Sequence, residues 1–350
     1  MKTFVTGATG FIGSALVKQL MERGSELKVL VRPESKLGYL EGLDVEVIQG
    51  DLRDAERLEL GLKGCNQVYH VAGLYTLNDP VQLYDDINVT GTANVVKAAA
   101  AAGVERLVHT STVAAVGSAP EGGLADEETE WNLGDLDIPY VRTKRQAEEW
   151  VLARAEDEME VVVVNPAGPI GPGDVKPTPT GQILLSYLNG RMPFIPHVEN
   201  NFVDVRDVAR GHILAMERGE NGQRYILGAK NMTARSLLTV AADLTGARRP
   251  FVLPYALAYL GGLLAEIVVQ WILRRRTVAN RANVKFLSRR MSFSIDKARN
   301  DLGWNPGPVE TAVQSAVQWF CENGYVRKRK SKKIMKRLAE KAEKPAQMPT

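Results

Sequence analysis

Tyr140 and Lys144 stand four residues apart, with a Ser111-Thr112 pair upstream of them. On a helix, positions i and i+4 share one face. A free tyrosine has a pKa of about 10, too high for a base near neutrality. A neighbouring ammonium stabilises the phenolate, so Lys144 is expected to lower the Tyr140 pKa and let that residue move a proton. A hydroxyl from another element, Thr112 or Ser111, then holds and polarises the oxygen that exchanges the proton. A lone Tyr-x-x-x-Lys arises often on amphipathic helices, so its weight depends on the elements that carry it.

Those elements begin with Thr6-Gly7-Ala8-Thr9-Gly10-Phe11-Ile12-Gly13. Lys2–Thr6 reads as a short buried strand, and Ser14–Met21 as an amphipathic helix. Three glycines between strand and helix let the backbone turn sharply and approach a pyrophosphate. The helix N-terminus adds free N–H groups and a favourable dipole. A dinucleotide cradle is therefore expected from Gly7, Thr9, Gly10, Phe11, Ile12 and Gly13. Apolar runs of strand length follow at Leu27–Val31, Val45–Gln49, Gln67–Val71, Arg106–Thr110 and Val161–Asn165, with helical stretches such as Val81–Ala102 and Tyr140–Ala155 between them. This alternation predicts an α/β fold, a doubly wound parallel sheet of the Rossmann type.

The strand ends name the cofactor contacts. After the second strand comes Arg32-Pro33-Glu34-Ser35-Lys36. NAD-binding folds usually carry an acid at this point for the ribose 2′-hydroxyl. Arg32, helped by Lys36, suits a 2′-phosphate instead, so NADP(H) is expected ahead of NAD(H), with Glu34 the one nearby acid. Asp51, followed by Leu52, is placed to accept from the adenine amino group. Val71, Ala72 and Gly73 are small enough to let the chain pass beneath the cofactor. Tyr140 and Lys144 reach the nicotinamide ribose, and Pro166 and Gly168 complete the set. With these elements around it, the Tyr140–Lys144 turn reads as hydride-transfer chemistry at a carbon bearing oxygen.

Further stretches carry a resemblance: Asn88-Val89-Thr90-Gly91-Thr92, His109-Thr110-Ser111-Thr112, Asn165–Asp174, Pro177–Gly181, Asn201–Ala209 and Leu302-Gly303-Trp304-Asn305-Pro306. Over residues 1–325 the chain resembles the extended short-chain dehydrogenase/reductases. Within them it is similar to the dihydroflavonol-4-reductase-like group and to bacterial hopanoid-associated sugar epimerases. The resemblance implies that Thr112 is the catalytic hydroxyl, Ser111 its neighbour, and Tyr140 and Lys144 the proton-moving pair. Two departures stand against a literal epimerase. Nucleotide-sugar epimerases commonly hold the diphosphate with an Arg just before the Phe-Val-x-Val-x-Asp stretch, whereas Glu199-Asn200-Asn201-Phe202 has no cation. They also retain NAD, whereas Arg32 points to an exchangeable NADP(H). A reductase or dehydrogenase acting on a fairly apolar carbonyl or secondary alcohol is thus placed above a sugar epimerase, and both above a non-enzymatic dinucleotide-binding module.

The chain has 350 residues, 45% of them hydrophobic and 24% charged, as expected of a globular protein with an ample core. Two cysteines without a Cys-x-x-Cys pair, and four histidines, give no disulfide framework and no metal site. The opening residues read as a strand and not a leader, so an intracellular, cytoplasmic protein is expected. The main domain is read as 1–165, with 200–228 returning to it. A smaller substrate lobe takes 166–199 and 229–325, and 326–350 forms a basic, disordered tail. That tail carries 10 basic and 2 acidic residues, eight of the cations falling within 327–337. Attraction to anionic lipid is worth about 1 kcal/mol per basic residue near the surface. Together with the apolar Phe251–Leu273 segment, the tail suggests a peripheral protein on the cytoplasmic face of a membrane, where a lipid-like substrate is concentrated. No specific nucleic-acid partner is expected, and homodimer formation is left open.

Overall fold

The computed structural model describes residues 1–75, 79–155, 159–253 and 285–342. The apolar runs become one parallel sheet: β1 (Lys2–Thr6), β2 (Glu26–Val31), β3 (Glu46–Gln49), β4 (Gln67–His70), β5 (Arg106–Thr110), β6 (Glu160–Pro166) and β10 (Arg224–Leu227). The order across the sheet is β10-β6-β5-β4-β1-β2-β3, with every neighbouring pair parallel. Side chains alternate between the two faces. Phe4, Leu107, Val161 and Val163 pack with α2 (Ala55–Leu62), α4 (Thr92–Ala101) and α6 (Pro139–Leu152). Val5, Val108, Val162 and Val164 pack with α1 (Phe11–Glu22) and α8 (Val205–Arg218).

Because the strands are parallel, their carboxyl ends share one edge. Gly7, Arg32, Asp51, Val71–Gly73 and Thr112 all follow such ends and are gathered there. The chain reverses its direction of growth between β1 and β4, the switch point at which open α/β sheets bind ligands.

A second core holds the smaller lobe. Here β7 (Gly168–Ile170), β9 (Glu199–Asp204) and β11 (Lys230–Thr233) form a sheet in the order β11-β9-β7, and β8 (Phe194–Pro196) pairs with β12 (Phe251–Leu253). Against them pack α7 (Pro179–Leu188), α9 (Ala234–Thr245), α11 (Val309–Glu322) and α12 (Lys328–Ala342), through Leu184, Leu238, Val317 and Leu338 among others.

The connections differ from the sequence reading in three places. β9 belongs to the lobe's sheet, so the chain returns to the main body with α8 at Val205. Met291, Phe293, Ile295 and Trp304, with α10 (Asp296–Leu302) between them, join the main core and not the lobe's. Trp304 Nε1 donates to the Gly228 carbonyl at 2.9 Å. The basic tail is corrected most. Through residue 342 it is folded, because its apolar residues recur at helical spacing and bury Val326, Ile334 and Leu338 in the lobe's core. Of the Phe251–Leu273 segment, 254–273 lie outside the described residues, as do 343–350 of the tail. Among the described residues no helix is long and apolar enough to cross a membrane.

Candidate active site

The turn between β1 and α1 shows why its glycines are there. Gly7 has φ +74°, and a Cβ on it would meet Ala72 N at 2.6 Å. A Cβ on Gly13 would overlap the Gly7 carbonyl oxygen. Helix α1 begins after Gly10 with no side-chain cap and no acid in its first turn, leaving its orphan N–H groups and positive dipole end to an anion. This strand–turn–helix fits the pyrophosphate of a dinucleotide. Thr9, Phe11 and Ile12 line the same turn, half-buried. Thr6 Oγ1 fixes the neighbouring strand end by accepting from Ala72 N at 3.2 Å and bonding His70 Nδ1 at 2.7 Å.

At the adenosine end, Arg32 and Lys36 are exposed. Glu34, the nearby acid, lies with its carboxylate 3.3 Å from Arg32 Nε. The Asp51 carboxylate accepts from Arg53 N at 3.0 Å, from Nε at 2.7 Å and from Nη2 at 3.1 Å. Arg53 holds it below its ordinary pKa, so an adenine amino group would share an oxygen already in use. Leu52 is buried, and Asn94 Nδ2 donates to its carbonyl at 3.0 Å.

Thr112, Tyr140 and Lys144 are brought together at the ends of β5 and α6. Thr112 leaves β5 in extended conformation and caps the short helix α5 (Val113–Val116), its Oγ1 accepting from Ala114 N at 3.3 Å. The Thr112 hydroxyl also lies close enough to the Tyr140 phenol to pull its pKa down. Pro139 at the first position of α6 sets where that helix starts, and so where Tyr140 stands. Lys144 is buried one turn on, with Nζ donating to the Thr110 carbonyl at 2.6 Å. Burial pushes its pKa down to about 8, opposed by Glu148. The expected lowering of the Tyr140 pKa is corrected here. Burial dominates and raises it, and only the Thr112 hydroxyl pulls the other way. Of the two hydroxyl candidates, Thr112 stands beside Tyr140, while the Ser111 Oγ is buried with no hydrogen-bond partner among the described residues. Thr112→Val is therefore expected to lower kcat roughly a hundredfold by removing a donor to the substrate oxygen, and Ser111→Ala to leave kcat nearly unchanged. Steady-state kinetics of the two variants side by side checks the assignment.

Three residues that carried no role in the sequence reading support this group. Asn88 Oδ1 accepts from Leu74 N at 2.7 Å, and its Nδ2 donates to Leu74 O and to Thr143 Oγ1, both at 3.1 Å. It thus ties the loop after β4 to the turn of α6 between Tyr140 and Lys144. Glu148, fully buried on the next turn of α6, accepts from Asn165 Nδ2 at 2.6 Å and from Arg224 Nη1 at 2.9 Å. Asn165 Nδ2 also donates to the Thr112 carbonyl at 3.0 Å. Glu148 and Asn165 are positioning residues for Thr112.

Pro166 and Gly168 lie where β6 passes into β7, and Gly168 answers to packing. A Cβ there would meet Asn201 O and Phe202 Cδ1, each at 3.1 Å. Along β9, Asn201 is used internally, accepting from Ala229 N at 2.8 Å and donating to Asn231 Oδ1 at 2.8 Å. The cation that the fold brings to this strand, Arg290, comes from far along the chain and pairs with Glu199 at 3.0 Å.

Comparison with known proteins agrees with this fold. Residues 3–228 match the NAD dependent epimerase/dehydratase family. A protein of Synechocystis sp., provisionally named dihydroflavonol 4-reductase, is 38% identical over 331 residues, covering 93% of this chain and 96% of its own. Sterol demethylase protein B of Methylococcus capsulatus is 35% identical over 332 residues, covering 93% and 100%. The crystal structure of gox2253 superposes with a TM-score of 0.84 at 38% identity, covering 93% of this chain and 99% of that one.

Proposed function

This chain belongs to the NAD dependent epimerase/dehydratase family of extended short-chain dehydrogenase/reductases, and we propose that it is an NADP(H)-dependent reductase of a carbonyl, or dehydrogenase of the matching secondary alcohol, in an apolar, lipid-like substrate. The observation that carries this reading is buried Lys144, its Nζ on the Thr110 carbonyl at 2.6 Å, one helical turn from Tyr140 and beside the Thr112 hydroxyl. When bound, the nicotinamide supplies the hydride. The chain does the rest. Thr112 and Tyr140 hold the substrate oxygen between two hydroxyls, and Tyr140 gives it a proton. Lys144, one turn on, keeps its ammonium in the same buried site, held on the Thr110 carbonyl, and in a buried site such a charge counts for more than in water. A phenol whose pKa is raised by burial stays protonated at neutral pH, which suits an acid acting in the direction of reduction.

Two features favour a reductase over a sugar epimerase. The β9 side chains that would meet a nucleotide diphosphate are neutral or acidic, and Arg290 beside them is neutralised by Glu199. The relatives' names speak of a dihydroflavonol reductase and of sterol demethylation. A sterol-like or similar lipid substrate would be met at an anionic membrane surface, a reading that the cationic helix α12 supports by its charge. Stoichiometric release of oxidised cofactor with a ketone substrate supports the reductase. A cofactor that stays bound while a sugar nucleotide is interconverted supports the epimerase.

The preference for NADP(H) rests on Arg32, whose guanidinium a 2′-phosphate would take from Glu34. Arg32→Ala is expected to weaken NADPH binding by about tenfold or more and to leave NADH little changed, since charge-assisted hydrogen bonds contribute about 1.5–3 kcal/mol. Glu34→Gln is expected to tighten NADPH. Fluorescence titration of both cofactors on both variants is the measurement, and equal affinities in the parent protein would remove the preference.

A further inference from the structure

Helix α12 is strongly cationic on its outer side, where Glu340 is also exposed. Ile334 and Leu338 face the lobe's core, while Lys328, Arg329, Lys332, Lys333, Lys336 and Arg337 are exposed. Two of its residues reach along the lobe: Lys330 Nζ lies against Gly190, and the Arg337 guanidinium against Gly246. From those glycines the chain continues through exposed Arg191 and Arg248 into the paired strands β8 and β12. There Phe194 and Phe251 stand opposite each other, ring centroids 6.1 Å apart, and are 55% and 70% exposed. They are four and five residues beyond the glycines that α12 touches, hence within about 14 and 18 Å of them at full extension. Two acids in this region are paired, Asp243 with Arg249 at 2.9 Å and Glu340 with Lys336 at 3.8 Å, while exposed Glu322 accepts from Gln318 Nε2 at 2.8 Å.

We propose that the outer face of α12, with the Phe194–Phe251 edge beside it, docks the protein on a bilayer containing anionic phospholipid. The proposal deepens the membrane placement above and rests on that reading for its purpose. Its geometry stands apart from the catalytic site. Charge decides the occupant: an array of exposed cations held on a folded helix, far outnumbering the acids beside them, complements a negative lipid surface, and a pair of exposed aromatic rings adds the apolar contact. Polybasic charge plus an apolar insertion is the two-signal arrangement that holds a protein reversibly at a membrane. The folded state of α12 also changes how the surface must be tested. Deleting the segment would remove Ile334 and Leu338 from the lobe's core, so charge, and not chain length, is the variable to alter.

The test is co-sedimentation of the full chain with phosphatidylcholine vesicles, with and without phosphatidylserine. The parent protein is expected to pellet with the anionic vesicles only, and to be released by salt. The triple variant Lys332→Glu, Lys333→Glu, Lys336→Glu is expected to lower partitioning roughly a hundredfold. Phe194→Ser with Phe251→Ser should weaken binding while its salt dependence stays. A parent protein that ignores anionic vesicles at low salt overturns the proposal. So does a triple variant that binds like the parent, or tighter retention on single-stranded RNA than on vesicles. Turnover of a short water-soluble ketone, followed in parallel, separates the two readings. If vesicle binding fails and turnover persists, the surface is wrong and the reductase stands; if turnover fails and binding persists, the reverse holds.

Discussion

Replacing Tyr140 with phenylalanine is expected to lower kcat by about two to four orders of magnitude, the usual size of a positioned proton donor's contribution. The substitution removes one hydroxyl and keeps the ring. Helix α6 should be unaffected, because it is held by other contacts. Arg142 reaches Asp85 with two hydrogen bonds of 3.0 Å, Arg145 donates to the Ala115 carbonyl at 3.0 Å, and Thr143 is held by Asn88. Dinucleotide affinity should therefore survive, since the glycine turn and the N-terminus of α1 do not touch the phenol. Stopped-flow measurement of the hydride step beside equilibrium titration of the cofactor separates the two quantities. A variant that keeps most of its single-turnover rate would show that the proton comes from elsewhere, and the Thr112 hydroxyl would be the first place to look.

Glu148→Ala is expected to cost about 3–5 kcal/mol of stability, which is large against the marginal stability of a folded domain. The carboxylate is fully buried and serves two partners, Arg224 and Asn165. Removing it leaves a mostly buried guanidinium without its counter-charge, held only by the Glu127 carbonyl, and leaves an amide donor with only the Thr112 carbonyl. Urea unfolding of parent and variant gives the difference directly. A loss below about 1 kcal/mol, the range of an exposed ion pair, would mean that Arg224 finds other acceptors. Because Asn165 links Glu148 to Thr112, kcat should fall as well, more than KM rises, even where the variant remains folded.

The sheet was legible because parallel strands buried on both faces write themselves as apolar runs, and the glycine turn because backbone geometry requires those residues. The Tyr140–Lys144 pair was legible from a single spacing. Asn88 was not assigned a role, for a physical reason. Residues 85–91 form a π-helical turn between α3 (Val81–Tyr84) and α4, and a turn closed by i→i+5 bonds shifts the helix face, so 3.6-residue periodicity cannot place it. Glu148 and Asn165 were hidden because their partners lie far apart in the chain: Arg224 comes from the last strand of the sheet and the Thr112 carbonyl from the loop after β5. The tail was misjudged because charge dominated its composition, while the two apolar residues that dock it recur only once per turn.

Met291, Phe293, Ile295 and Trp304 close the same core as Val5 and Leu16 near the start of the chain. The body that receives the dinucleotide is thus not finished when its last strand, β10, leaves the ribosome. At about 5–20 residues per second, the stretch from Gly228 to Trp304 takes roughly 4–15 s more to synthesise. Throughout that interval the face of the sheet beneath α8 lacks its final cover, including the ring of Trp304 and the hydrogen bond from its indole to Gly228. The nascent chain therefore carries an unfinished nucleotide site with an apolar seam beside it. That seam is closed only after most of the chain's length is already made.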